Sequence, residues 1–285
     1  MNLLKNKILI SGGSGFIGKH FLDSVLKCDL FETHIIHRSK TDLKFLKNHK
    51  NFYLYNLSEL KIQEILQIVK PIIAINFVCS YNNSNHNEMY YSNYEFGKLF
   101  VDCCIENKVK FFINTHTLAN SANSNYVLTK SLFVKYLIQV QKQINIINIS
   151  PELVYGNNYH ENNLTNYLTN QLRNKKEICI ENAYQMRDFI HISDLVTAYN
   201  AVISNIKKFN NFTQIDVGTG TLTSIEDFAK LFINIFYKKN IKIVFKTNSV
   251  YLLRYNLSQI NALKWRPKIS LEKGIFMMLD NYKFK

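Results

Sequence analysis

Residues 7–18, KILISGGSGFIG, decide the fold. Ile8, Leu9 and Ile10 are an apolar run of strand length, after which glycines fall at positions 12, 15 and 18 in GxxGxxG spacing. Phe16, Ile17, His20, Phe21 and Val25 then carry a helical period, so a buried strand turns sharply into a helix. Gly12 permits the tight turn, Gly15 lets the backbone approach a pyrophosphate with no Cβ in the way, and Gly18 lets the helix pack closely on the sheet. The first turn of such a helix offers unpaired N–H groups and a positive dipole end, which suits phosphate oxygens. This order of strand, turn and helix predicts a dinucleotide-binding unit in which Gly12, Ser14, Gly15, Phe16 and Ile17 meet the cofactor.

Outward from that stretch, strand and helix patterns alternate. Strands are predicted at 33–37, 51–55, 72–78, 110–116 and 145–149, with helices at 58–69 and 88–107 and a further one carrying Tyr126 to about Gln143. The run IIAINFV at 72–78 is nearly continuous, as expected of a parallel strand covered on both faces. Strands joined by helical crossovers predict an α/β architecture with a doubly wound parallel sheet. Arg38, Ser39 and Lys40 follow the second strand, where a carboxylate would hold an unmodified ribose and a guanidinium with hydroxyl donors would hold a 2′-phosphate. The sequence therefore favours NADPH over NAD, the competing reading of Arg38 being a plain surface charge. Asn56 and Leu57 end the third strand, where the adenine would lie.

The chain has 285 residues, 47% of them hydrophobic, enough for one large domain or one domain with a smaller lobe. Its net charge of +14 is spread over lysines such as Lys44, Lys61, Lys70 and Lys98, with no basic block or basic and aromatic interleaving. That pattern favours anionic small substrates over nucleic acid. Five cysteines, an odd number without CxxC spacing, indicate neither disulfides nor a metal site and fit a reducing cytoplasm. The first strand is expected to begin by Lys7, so no signal sequence is expected, and no run has the length of a membrane helix. Asparagine is frequent throughout and reads as compositional bias.

Thr115, His116 and Thr117 end the fifth strand, at the edge where open α/β sheets bind ligands, and Tyr126 and Lys130 follow on the next helix. Residues four apart share a helix face, so a lysine ammonium can lower the pKa of a phenol from about 10 and favour proton exchange with a carbonyl or alcohol. Taken alone, such a pair also reads as two surface residues. His116 and His191 are assigned structural roles, because no metal-ligand spacing surrounds either.

With these motifs in view, the chain resembles the extended short-chain dehydrogenase/reductases of the nucleotide-sugar epimerase and dehydratase type over nearly its whole length. The residues that carry the likeness are the three glycines, the Thr117, Tyr126 and Lys130 set, Val154-Tyr155-Gly156, the RDFIHISD segment at 187–194, and KWRP at 264–267. The resemblance implies a Rossmann-type sheet with a smaller C-terminal α/β substrate lobe. It makes Tyr126 the general acid or base, has Lys130 hold the nicotinamide ribose and tune Tyr126, and has Thr117 hydrogen-bond the reacting sugar oxygen. Phe77, Val78, Cys79 and Asn93 would lie along the cofactor. Ser80, Arg187 and Arg254 would touch the substrate, Arg254 at its pyrophosphate, with a surface salt bridge as the alternative for that residue. Leu118 and Ala119 stand where the dehydratases carry Asp-Glu, which argues against dehydration. The compact NTHTLANSANSNYVLTK segment is similar to the CDP-paratose and CDP-abequose synthase group of 4-ketoreductases.

The expected division is a dinucleotide-binding domain at 1–152, to which 186–218 return, and a substrate lobe at 153–185 and 219–285. The lobe is expected to hold helices at 162–174 and 224–237 and strands at 177–180 and 242–245, with a helix at 192–204 and a strand at 214–217 in the returning segment. The expected activity is NADPH-dependent reduction of the 4-keto group of a nucleotide-linked, CDP-linked by resemblance, deoxyhexose for surface polysaccharide. Its rivals are a nucleotide-sugar 4-epimerase and a silent dinucleotide sensor. By resemblance the chain would be a cytoplasmic homodimer with a nucleotide-diphosphate sugar as its partner and no metal, membrane or nucleic acid.

Overall fold

The computed structural model describes residues 5–81, 85–119, 124–157, 164–174, 177–236, 242–246 and 255–278. It divides into two compact units, Met1–Ser150 with Tyr199–Ile215 and Pro151–Ala198 with Asp216–Lys285. The first unit holds β1 (Lys7–Ser11), α1 (Phe16–Cys28), β2 (Glu32–His37), β3 (Phe52–Asn56), α2 (Ile62–Val69), β4 (Ile73–Asn76), α3 (His86–Tyr90), α4 (Phe96–Glu106), β5 (Phe111–Thr115), α5 (Asn125–Val140), β6 (Asn145–Pro151) and β7 (Phe212–Val217). Its sheet runs β7-β6-β5-β4-β1-β2-β3, with parallel pairing throughout β1 to β6. The doubly wound sheet expected from the sequence is therefore present. Strand order reverses between β1 and β4, which opens a crevice at their carboxyl ends.

Gly12 sits at that reversal with φ +72°, and a Cβ there would lie 2.5 Å from the backbone of Phe77 and Val78 just beyond β4. A Cβ on Gly18 would overlap the carbonyl oxygen of Gly12 itself. Glycine at both positions is thus set by backbone against backbone, which no rotamer change can relieve. On one face the sheet is packed by Leu66, Phe100, Phe112, Phe133 and Leu137, all buried.

Local hydrogen bonding moved several boundaries. The helix expected at 58–69 begins at Ile62, because Asn56 Oδ1 accepts from Ser58 N (3.1 Å) and Lys61 N donates to Glu64 (2.6 Å), fixing a turn and then a cap. The strand expected at 72–78 stops at Asn76, whose side chain accepts from Val78 N (3.2 Å) and from Ser11 Oγ (2.9 Å). The helix expected at 88–107 is interrupted by a π-helical turn, Tyr91–Glu95, between α3 and α4. A chain of amides also crosses the sheet from the buried Asn114 and Asn148 to the exposed Gln214: Asn114 donates to Asn148 (2.7 Å), Asn148 to Gln214 (2.6 Å), and Gln214 to Ser150 (2.7 Å). Asparagine here fixes strand register, a use its frequency alone does not reveal.

In the second unit, Leu153–Tyr155 pairs parallel with Phe189–His191, Glu177–Glu181 parallel with Lys242–Lys246, and Met186–Arg187 antiparallel with Thr223–Ser224. Its core stacks Phe189 on Phe228 (4.2 Å between ring centroids) over Leu168, Ile178 and Phe232. Ser224 Oγ accepts from Asp227 N (2.9 Å) and so caps Ile225–Phe236. The helix expected at 162–174 is seen as Leu164–Asn174, residues 162–163 lying outside the described residues.

Candidate functional site

The turn after β1 closes through Gly15 N donating to Gly12 O (3.1 Å), and α1 starts at Phe16 with its first N–H groups at the sheet edge. Beside it a cavity of about 510 Å³ is lined by Ser14, Lys19, Arg38, Ser39, Lys40, Thr41 and Asp42. Three cations therefore face one carboxylate. A tight turn holds them, with Thr41 N donating to Arg38 O (2.9 Å) and Arg38 N to Thr41 Oγ1 (3.1 Å), while Asp42 accepts from Lys44 N (3.0 Å). Sulfate-like or phosphate groups suit such a set. Lys19, one helical turn into α1, joins Arg38 here and was not among the sequence candidates. Asn56 places its amide on Glu59 (3.1 Å) and Ser58, so its side chain serves the local turn, and Leu57 N donates to His37 O (2.9 Å) beside β2.

Beyond β4, Phe77 turns its ring into the core against Phe21 (5.2 Å) and Tyr199 (5.3 Å), so it is the backbone of Phe77 and Val78 that borders the glycine turn. Asn93, buried in the π-helical turn, accepts from Ser80 N (2.8 Å) and donates to Ser80 O (3.0 Å) and Thr129 Oγ1 (3.2 Å). π-turns inside helices recur at functional sites because they re-aim one side chain.

At the end of β5, Lys130 Nζ donates to Thr115 O (2.5 Å), and Thr115 Oγ1 pairs with Tyr199 Oη (2.7 Å). Burial pushes the Lys130 ammonium below the usual lysine range, with the nearby Cys79 thiol opposing that shift. Thr117 Oγ1 accepts from Ala119 N (3.1 Å). Tyr126 Oη donates to Tyr81 Oη at 3.4 Å, the two rings stacked with centroids 4.6 Å apart. Thr117 thus lies two residues beyond β5, and Tyr126 and Lys130 stand on α5, the helix that follows, in one unit. Tyr81 joins them without having been singled out from the sequence.

His116 lies among these residues with Nδ1 buried and without a hydrogen-bond partner. Burial, reinforced by the Lys130 charge, lowers its pKa to about 3. The unfolded chain binds a proton there near pH 6.5, so between those values it holds one proton more than the folded chain, and stability falls as the solution is acidified. In this window the group costs up to roughly 1.4 kcal/mol per pH unit. His116→Gln is expected to flatten the acid limb of stability between about pH 6.5 and 3. Urea unfolding at a series of pH values checks this, and an unchanged limb would refute it.

In the second unit Arg187 donates through Nε (2.9 Å) and Nη2 (2.7 Å) to Oε1 of Glu152. Glu152 Oε2 is buried with no partner, and burial raises the carboxyl above its ordinary range despite Arg187. His191 Nδ1 accepts from Ser193 N (3.2 Å) and its ring packs edge-on against Tyr155, a structural use. Arg254 lies outside the described residues. Among the described residues no cluster of His, Cys, Asp and Glu could hold a metal ion, and no helix is long and apolar enough to cross a membrane.

A model of the NAD dependent epimerase/dehydratase family matches residues 8–218. The CDP-abequose synthase of Salmonella typhimurium is 27% identical over 98% of this chain and 99% of its own. The dTDP-4-dehydro-6-deoxyglucose reductase of Escherichia coli is 25% identical, with both chains covered in full. Among solved structures, the UDP-glucuronic acid 4-epimerase of Bacillus cereus in complex with UDP-glucuronic acid and NAD superposes with a TM-score of 0.83 at 20% identity, over 97% of this chain and 99% of its own.

Proposed function

The chain belongs to the NAD dependent epimerase/dehydratase family, and we propose that within it this protein is an NADPH-dependent reductase of the 4-keto group of a CDP-linked deoxyhexose. The observation that carries the reading is that Lys130, on the same helix as Tyr126, donates to Thr115 O two residues before Thr117, in the same unit as the cationic pocket around Arg38. Leu118 and Ala119, in place of an acidic pair, support reduction over dehydration. The near full-length likeness to a CDP-abequose synthase supports the cytidine nucleotide.

The glycine turn fits a pyrophosphate, and Lys19, Arg38 and Ser39 fit a 2′-phosphate. When bound, NADPH supplies the hydride that reduces the keto carbon. Tyr126 donates its phenolic proton to the oxygen that becomes an alkoxide, and Thr117 Oγ1 steadies that oxygen with a hydrogen bond. Lys130, charged and desolvated, favours the phenolate left on Tyr126 and holds the nicotinamide ribose. Within the second unit, Arg187, held by Glu152, offers a guanidinium suited to a phosphate oxygen.

The test is loss of reduced nicotinamide absorbance with CDP- and dTDP-linked 4-keto-6-deoxy and 3,6-dideoxy sugars, NADPH against NADH. Stoichiometric oxidation with one of them is expected. Interconversion of a stable nucleotide sugar without net oxidation would replace this reading with a 4-epimerase. Arg38→Ala is expected to raise KM for NADPH about 10- to 100-fold, the worth of one charge-assisted phosphate contact, and to leave NADH use nearly unchanged. Equal effects on both cofactors would remove Arg38 from the 2′-phosphate.

A further inference from the structure

We propose that Tyr81 is a second phenol of the catalytic centre, a positioning and proton-relay residue that sets the acidity of Tyr126 and returns its proton from solvent. The proposal rests on the reading of Tyr126 as the proton donor. Three observations carry it. The hydroxyls of Tyr81 and Tyr126 are 3.4 Å apart and their rings are stacked at 27°. Tyr81 is 48% exposed, whereas Lys130 is only 4% exposed, so of the two it is the tyrosine that has ready access to water. The third is the frame that holds the pair: Asn93 grips both backbone groups of Ser80, the neighbour of Tyr81, and also binds Thr129. Thr129 Oγ1 in turn donates to Tyr126 O at 3.1 Å, so one buried amide joins the backbones that carry the two phenols.

The proton balance is simple. When Tyr126 protonates the substrate alkoxide, its O–H bond breaks, the alcohol O–H bond forms, and Tyr126 is left as a phenolate. The Tyr81 hydroxyl then turns to donate to that phenolate oxygen. Passage of its proton re-forms Tyr126 and leaves the charge on Tyr81, which takes a proton from water and releases hydroxide. Nothing is oxidised or reduced in these steps. Donor and acceptor in this transfer are the same functional group at hydrogen-bonding distance, which suits a relay. The 3.4 Å separation exceeds the usual hydroxyl contact of about 2.7–2.8 Å, as hydrogen bonds at such centres do before substrate is bound.

Tyr81→Phe keeps the stacked ring and removes only the hydroxyl, while Tyr81→Leu removes both. The first measurement is a ¹³C NMR titration of ring-labelled tyrosine in the substrate-free protein, with the Tyr126 signal identified by its loss in Tyr126→Phe. Tyr81→Phe is expected to raise the Tyr126 midpoint by roughly one pH unit, since the phenolate loses a donor. In turnover it should lower kcat about tenfold with KM unchanged, and move the alkaline limb of the kcat profile upward by the same interval. An unmoved Tyr126 midpoint in Tyr81→Phe, with damage confined to Tyr81→Leu, would show the ring stack alone to matter and overturn the proposal. Because the titration needs no substrate, a shifted midpoint in a protein that reduces no ketosugar would uphold the phenol pair and sink the reductase reading instead.

Discussion

Tyr126→Phe is expected to lower kcat about 100- to 10,000-fold, the range a general acid supplies, while NADPH binds nearly as it does to the unaltered protein. The two halves of that expectation have separate origins in the fold. The glycine turn and the pocket around Arg38 belong to β1, α1 and β2, whereas Tyr126 stands on α5 and is not among the residues lining that pocket. Tyr126 stands on α5 after β5, where Ser124 caps the helix and Lys130 is anchored to Thr115 O, so removing one hydroxyl leaves the backbone that carries it in place. The ring of Phe can still stack on Tyr81. Rapid mixing with NADPH and a 4-ketosugar measures the first half, and quenching of protein fluorescence by NADPH measures the second. Retained turnover would remove Tyr126 from the chemistry; lost NADPH binding would show that the substitution acts through the fold.

How much of this was legible in the chain depended on the range over which each signal acts. The strand, turn and helix at 7–18 are local, and the glycine positions answer to backbone contacts within a few residues and to one neighbouring strand, so spacing sufficed. Strand alternation was equally plain, because parallel strands buried on both faces must be apolar. Boundaries failed where a side chain bonded its own backbone, as Asn56 and Asn76 do, since such turns compete with regular structure without altering the hydrophobic pattern. The π-turn at Tyr91–Glu95 was hidden because one extra residue in a helix leaves no compositional trace. Pairs far apart in the chain were hidden for another reason: Glu152 with Arg187, and Tyr81 with Tyr126, are neighbours only once the strands are in register. Glu152 could have been suspected from its place in an apolar run leading out of β6, where an acidic side chain needs a partner.

The second large effect is expected at Asp188, which lies next to Arg187 and is fully buried. Its carboxylate accepts from Thr219 N (2.8 Å), Thr219 Oγ1 (2.5 Å), Gly220 N (2.8 Å) and Tyr255 Oη (2.8 Å). The loop after β7 is wrapped around it so closely that a Cβ on Gly218 would lie 2.5 Å from Asp188 Oδ2. Asp188→Ala would leave these donors buried without an acceptor, and the loss of such a hub costs about 3–5 kcal/mol. For a chain of this size that corresponds to a fall in Tm of roughly 10 °C. Thr219→Val, which removes one of the four donors and spares the carboxylate, should cost only about 1 kcal/mol. Urea unfolding of the three proteins separates the cases. The loss should also fall unevenly, because among the described residues the donors to Asp188 belong to the second unit while the glycine turn and the Arg38 pocket belong to the first. NADPH binding should therefore survive in Asp188→Ala under conditions where sugar-nucleotide binding is already lost. A cost below about 1 kcal/mol would mean that the loop keeps its conformation without the carboxylate and that its donors find water. Parallel loss of both ligands would mean that the two units unfold together.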